Sequence, residues 1–159
     1  MADSAHIRAL LKGPMPTYLS DGSVETLEQR ITRHECIGSR PNLKPYPDSV
    51  GKITIGIGHN LTDDGLTLNQ VEGIFHDDLP EAQDDLQRVL PWTVALSPAR
   101  HEVFVELVFN LGITDLSQFH TFLNLAQAGD WDHASADLMT TKWASQVKSR
   151  AVELAHLLL

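Results

Sequence analysis

The segment His101–Gly112, HEVFVELVFNLG, is apolar on nearly every side of a helical wheel, whereas a helix at the surface of a globular domain keeps its apolar residues to one stripe. Such a helix has to be enclosed by other elements. Ser97 followed by Pro98 is a strong start signal, because proline at the first helical position has the right φ and lacks only an N–H that would go unpaired. Gly112 is the matching stop. The surrounding sequence offers the enclosing helices. A long one follows Thr67, which makes a capping-box pattern with Gln70, and three more are predicted at about 116–128, closed by Gly129, at about 131–140, opened by Asp130, and at about 143–158. The stripe of the long helix runs through Val71, Ile74, Phe75, Leu79, Ala82, Leu86 and Val89, and Pro80 predicts a kink or break within it. There is no internal repeat or low-complexity tract.

The front of the chain reads differently. Ser23 is the predicted N-cap of SVETLEQRITRHE, in which Val24, Leu27 and Ile31 recur at helical spacing and Glu25 and Glu28 lie near the positive helix end. This helix delivers Glu35 at its C-terminal end. Three prolines between Arg40 and Pro47 exclude helix there. Ile53, Ile55 and Ile57 then alternate with Thr54, Gly56 and Gly58 as strand residues do, so the isoleucines are expected to face a core. The opposite face, a threonine and two glycines, is nearly bare and open to close approach by a ligand or another backbone. NLTDDG, after His59, is turn chemistry. Residues 1–22, where Ile7, Leu10 and Leu11 are followed by Gly13, Pro14 and Pro16, read as an N-terminal extension to a domain spanning 23–159. The whole is an α+β pattern, a small β-containing half ahead of a larger helical one.

At 159 residues with 42% apolar and 21% charged side chains, the chain is large enough for one domain with a real core. Its single cysteine, Cys36, precludes an internal disulfide. No signal-peptide core and no run long enough to span a bilayer is present, so stable membrane insertion is not expected. A formal charge of −9 argues against nucleic acid as a partner.

Glycosidic bond cleavage needs one carboxylic acid to protonate the leaving oxygen and a second carboxylate to activate water or attack the sugar. Glu35 and Asp48, separated by a turn-rich segment, are candidates for facing each other across a groove, and Thr54 is placed to hold a water beside Asp48. In a chain with 21 acidic residues the pair alone is weakly distinctive.

These residues sit in a longer pattern. Glu35, Tyr46, Asp48, Ser49, Gly51 and the run Thr54-Ile55-Gly56-Ile57-Gly58-His59 resemble the signature of the phage-type lysozymes, the T-even endolysin family of glycoside hydrolase family 24. VFNLG at Val108–Gly112, Gln118 and Phe119, GDWDHA at Gly129–Ala134, and Trp143, Gln146, Arg150 and Ala151 follow in the family's order. The resemblance implies a lysozyme-like fold with a small β-containing lobe and a larger helical lobe separated by a substrate cleft. It implies an endolysin muramidase that cuts the β-1,4 bond between N-acetylmuramic acid and N-acetylglucosamine, with Glu35 as general acid and Asp48, with Thr54, positioning the attacking water. By the same matching, Asn60, Phe109, Asn110, Phe122 and Asp137 line the sugar cleft, Arg150 reaches Glu35, and His59 pairs with Asp78 in a structural ion pair. No cofactor or metal is implied. The expected partner is peptidoglycan, the expected state a monomer, and the expected location the host cytoplasm, with a holin needed for access to the periplasm and cell wall. Two departures stand out. The Glu35–Asp48 segment is several residues longer than in the T-even enzyme, and the His59–Thr67 link is much shorter, which predicts a reduced small lobe.

Three rivals are weaker. A cysteine amidase or endopeptidase would use Cys36 with His34 or His59, but no third orienting group is evident. Zinc lacks close ligand spacing among the histidines. A lytic transglycosylase, or a non-catalytic peptidoglycan-binding or virion module on the same fold, is separable only by its products.

Overall fold

The computed structural model describes residues 25–36 and 40–159. The extension at 1–22, Ser23 and Val24 lie outside the described residues. The chain divides into two compact units, one through Thr67 and one from Leu68 to Leu159.

In the first unit, helix α1 (Leu27–Glu35) starts later than the sequence pattern predicts. Its N-cap is Thr26, whose Oγ1 accepts from the Gln29 N–H at 3.2 Å while Gln29 Oε1 accepts from the Thr26 N–H at 2.8 Å. Thr26-x-x-Gln29 satisfies two end donors reciprocally; the residue three after Ser23 is a threonine, which completes no such box. Glu25 grips Arg33 through two contacts of 2.9 Å, and that guanidinium holds the Glu25 carboxyl below the usual carboxylate range.

A three-stranded antiparallel sheet follows, in the order β1 (Asn42–Pro47), β2 (Ile53–Gly56), β3 (His59–Asn60). The proline-rich segment is thus an edge strand. Pro45 and Pro47 are tolerated because β1 has a neighbour on one side only, and the register is irregular between Asn42 and Tyr46, around Pro45. β2 is shorter than the isoleucine alternation predicts. Gly56 (φ +66) and Gly58 (φ +71) bend the chain into a turn, so Ile57 leaves the strand. The expectation that the isoleucines face a core is overturned: Ile53 and Ile57 are 42% and 45% exposed, and the buried residue is Thr54 at 4%. Thr54 occupies the central strand, flanked by Tyr46 on β1 and Asn60 on β3.

The second unit is helical. α2 (Leu68–Val89) runs without a break through Pro80. Its buried residues are Ala82 and Leu86, whereas Val71, Ile74, Phe75 and Val89 are exposed, so only the C-terminal half of the expected stripe serves this unit's core. A 3-10 turn (Pro91–Ala95) leads to α3 (Pro98–Leu111), which Ser97 and Pro98 open and Gly112 (φ +78) closes with its N–H on the Val108 carbonyl at 2.7 Å. α3 is the enclosed helix anticipated above: Val103, Phe104, Val105, Leu107 and Val108 are all buried. Phe104 stacks on Phe122 with centroids 5.4 Å apart and meets Trp92 edge-on at 5.3 Å.

The expected 116–128 helix is two, α4 (Ile113–Leu116) and α5 (His120–Gln127). They part where Ser117 Oγ donates to the Ile113 carbonyl at 2.7 Å. α6 (Trp131–Thr140) has the bounds and the Asp130 cap anticipated. The last predicted helix is divided into α7 (Lys142–Val147) and α8 (Ser149–Leu158) by Lys148 at φ 50 and ψ −102. Arg100 ties α3 to the chain end, donating to the Leu158 carbonyl at 2.7 Å with its guanidinium 4.2 Å above the Trp131 ring.

Lys148 is the one non-glycine residue with positive φ among those described, so Lys148→Gly relieves strain and should raise the unfolding free energy by about 1 kcal/mol, read as a melting-temperature rise of about 3 °C. Asp130 holds its carboxyl below the usual range against His133, which is raised in turn. The aspartate's contribution is full above its unfolded pKa of about 4 and fades as pH falls through its lower folded value; the histidine's is full below about 6.5 and fades as pH rises through its higher folded value. Asp130→Asn keeps a capping oxygen, so its melting-temperature deficit should be greatest between about pH 4 and 6.5 and shrink on both sides.

Candidate functional site

Glu35, Asp48, Thr54, His59 and Asn60 all belong to the first unit, on or beside one small sheet. Asp48 sits at the start of the β1–β2 turn, where its N–H donates to the Lys52 carbonyl at 2.8 Å and its carbonyl accepts from Gly51 at 3.1 Å. Its side chain closes the same turn, with Oδ1 accepting from the N–H groups of Val50 and Lys52, both at 2.9 Å. One carboxylate oxygen is therefore committed to the backbone, and the carboxylate is fixed in place by the turn it stabilises. Thr54 is coupled to it through one residue. The Thr54 hydroxyl makes a long hydrogen bond, 3.4 Å, to the carbonyl of Lys52, whose N–H is held by Asp48.

Glu35 is exposed and is the last residue of α1. Cys36, buried, leaves the helix with extended backbone and donates its N–H to the Thr32 carbonyl at 3.0 Å. The Glu35 side chain lies against the β2–β3 turn: a Cβ on Gly58 would come 2.7 Å from Glu35 Oε2. The bare face read from the sequence is thus occupied at Gly58 by the acid itself. A Cβ on Gly56 would meet none of the described residues within 4 Å. β2 runs between the two turns, with the Asp48 turn before it, the Glu35 contact after it, and Thr54 on the strand.

The other residues of the sequence-derived set divide. Asn60 is engaged at both ends of its amide, accepting from the Thr62 and Asp63 N–H groups at 2.9 and 3.1 Å and donating to Asp63 at 2.8 Å. It builds the turn after β3, a role that the turn residues NLTDDG signalled. Asp63 also pairs with Lys52, a residue the sequence reading did not single out. His59 Nε2 is 2.5 Å from the Gly65 carbonyl, within its own unit; Asp78 belongs to the other unit, where it lines a groove of about 270 Å³ with Glu81 and Asp85.

In the second unit, Phe109, Asn110 and Arg150 share a larger groove of about 790 Å³ with Phe75 and Glu106. Phe109 is 43% exposed and meets Phe75 edge-on at 5.7 Å. Asn110 Oδ1 accepts from Trp143 Nε1 at 2.6 Å, which fixes its amide. Arg150 Nε lies 3.8 Å from Glu106 Oε1, an exposed and weak pair. Asp137 does not line this groove and is half-buried. Phe122 is a correction. With 0% exposure and its ring stacked on Phe104, it is core and lines no sugar site. A lone aromatic near a motif reads alike as ligand contact or core until the packing is seen. Among the described residues, no cluster of three or more His, Cys, Asp or Glu is placed to hold a metal, and no helix is long and apolar enough to cross a membrane.

The role of Asp48 in its own turn makes a local prediction. Asp48→Ala strands the Val50 and Lys52 amides at a cost of about 1 kcal/mol, so their hydrogen exchange should quicken about fivefold, while Asp48→Asn keeps an acceptor and should leave them near the wild-type rate.

Comparison with known proteins matches residues 38–155 to the family described as phage lysozyme. That segment contains Asp48 and Thr54 and begins just after Glu35. The pre-baseplate central spike protein Gp5 of Enterobacteria phage T4 is 26% identical over 145 residues, covering 74% of this chain and 25% of the spike protein. The probable T4-type lysozyme 2 of Dictyostelium discoideum is 22% identical over 138 residues, covering 69% of this chain and 81% of that protein. The chain thus spans a quarter of the first relative's length and most of the second's.

Proposed function

The chain belongs to the phage lysozyme family, and on that premise we propose that it is an endolysin muramidase, hydrolysing the β-1,4 bond between N-acetylmuramic acid and N-acetylglucosamine of peptidoglycan. The observation that carries the reading is the arrangement of two carboxylates about one short strand: Asp48 pinned in the turn before β2, Glu35 laid on Gly58 in the turn after it, and Thr54 between them.

In this reading Glu35, exposed at the end of its helix, gives its proton to the leaving glycosidic oxygen. Asp48 keeps one oxygen on the Val50 and Lys52 amides and offers the other to water, which it activates as general base with the Thr54 hydroxyl as second support. An inverting enzyme needs carboxyl groups about 6.5–9.5 Å apart to admit that water, and inversion is the outcome proposed. Within the second unit, the exposed Phe109 ring is proposed as an apolar face for a sugar, with Asn110, its amide oriented by Trp143, as a polar contact beside it. The biological setting we propose is host lysis by a monomer that accumulates in host cytoplasm and reaches the cell wall when a holin opens the membrane. A second reading is favoured by the spike-protein similarity: a lysozyme module that works as part of a virion.

Purified Gram-negative sacculi digested with wild type and with Glu35→Gln test the chemistry. Products with reducing N-acetylmuramic acid ends, falling by about 10²–10⁴-fold in the variant, are expected. Anhydro-muramyl ends would make it a lytic transglycosylase, and binding without products from the wild type would leave the non-catalytic module.

A further inference from the structure

We propose that Gly58 is a positioning residue for Glu35: the space left by its missing side chain is the seat of the Glu35 carboxyl. The inference deepens the reading above and rests on it for the acid role of Glu35. A Cβ at position 58 would approach Glu35 Oε2 to 2.7 Å, its Cδ to 3.3 Å and its Cβ to 3.4 Å. The glutamate therefore lies along the turn from its first side-chain carbon to its carboxyl, rather than touching it at the tip. The closest of these approaches is shorter than non-bonded atoms accept, so any L side chain at position 58 displaces the carboxyl or the turn.

Within the first unit, among the described residues, the Glu35 side chain makes no hydrogen bond or ion pair, and the residue is exposed at the end of α1. A free glutamate in that place samples several rotamers. Packing on the flat glycine face restricts them and sets where a proton donor stands relative to β2. A displacement of about 1 Å in such a group costs up to about 10²-fold in rate.

Gly56 is a built-in control. Both glycines have positive φ, +66 at Gly56 and +71 at Gly58, so a side chain strains the backbone at either position. A Cβ at Gly56 meets none of the described residues within 4 Å. The two positions share the strain and differ in the contact with Glu35.

The test uses the full chain as wild type, Gly56→Ala and Gly58→Ala, with three readouts: melting temperature, the carbon-13 signal of the Glu35 carboxyl through a pH titration, and the maximal rate and half-saturating concentration of sacculus digestion. Both variants are expected to melt at similarly lowered temperatures. Only Gly58→Ala should move the Glu35 carboxyl signal, and it should lower the maximal rate by about 10- to 100-fold with half-saturation changed by less than about twofold. Equal carboxyl signals and equal rates in the two variants would overturn the proposal. Should alanine at position 58 prevent folding, Gly56→Asn and Gly58→Asn replace the pair, since asparagine tolerates positive φ better and keeps the Cβ. If the wild type releases no muropeptides, the muramidase reading fails, while the Glu35 signal in Gly58→Ala against Gly56→Ala still decides the positioning.

Discussion

The second unit depends on enclosing one helix. α3 cannot be left at a surface, because Val103, Phe104, Val105, Leu107 and Val108 project around most of its circumference. The core these residues join also takes in Leu86 from α2, Leu116 from α4, Phe122 from α5, Leu138 from α6, and Leu154 and Leu158 from α8, with Trp92 of the 3-10 turn packed against it. Burial of these groups, each worth about 1.5–3 kcal/mol, organises the unit, and hydrogen bonds such as that from Arg100 to the Leu158 carbonyl fasten its ends.

The first unit is held by different means. Among its described residues only Cys36 and Thr54 are buried, so it has little apolar burial with which to fix its loops. Side-chain to backbone hydrogen bonds take that role. Asp48 closes one turn and Asn60 another, while Thr26 and Gln29 close the start of the helix. Under the proposed function, Asp48 would serve as both scaffold and base. The same oxygen that braces the Asp48 turn limits how the carboxylate can rotate, which is a form of preorganisation. The cost is that Asn60 keeps only one amide N–H free of its own turn.

Period and punctuation explain what could be read in advance. Ser97-Pro98, Gly112, Asp130 and the apolar run between them announce helices through local chemistry alone, and the bounds of α3 and α6 agree with it. The Glu35, Asp48 and Thr54 motif was likewise visible as a pattern. Hidden in the sequence were the edge position that lets Pro45 and Pro47 lie in a strand, and the strain at Lys148 that divides the last helix. Neither has a local signature. An edge exists only once the other strands are arranged, and strain is accepted only when packing on both sides outweighs it.

What the sequence by itself determined is the enclosed helix, the helix capped by Asp130 and the family to which the motif belongs, because each depends on residues close together in the chain. Only the tertiary structure decided the allegiance of individual side chains. Phe122 went to the core, and Thr54 rather than the isoleucines to the buried face. It also decided what fills the bare face of the strand. The room left at Gly58 is taken by Glu35, a residue brought there from a preceding helix by contacts that no spacing rule encodes.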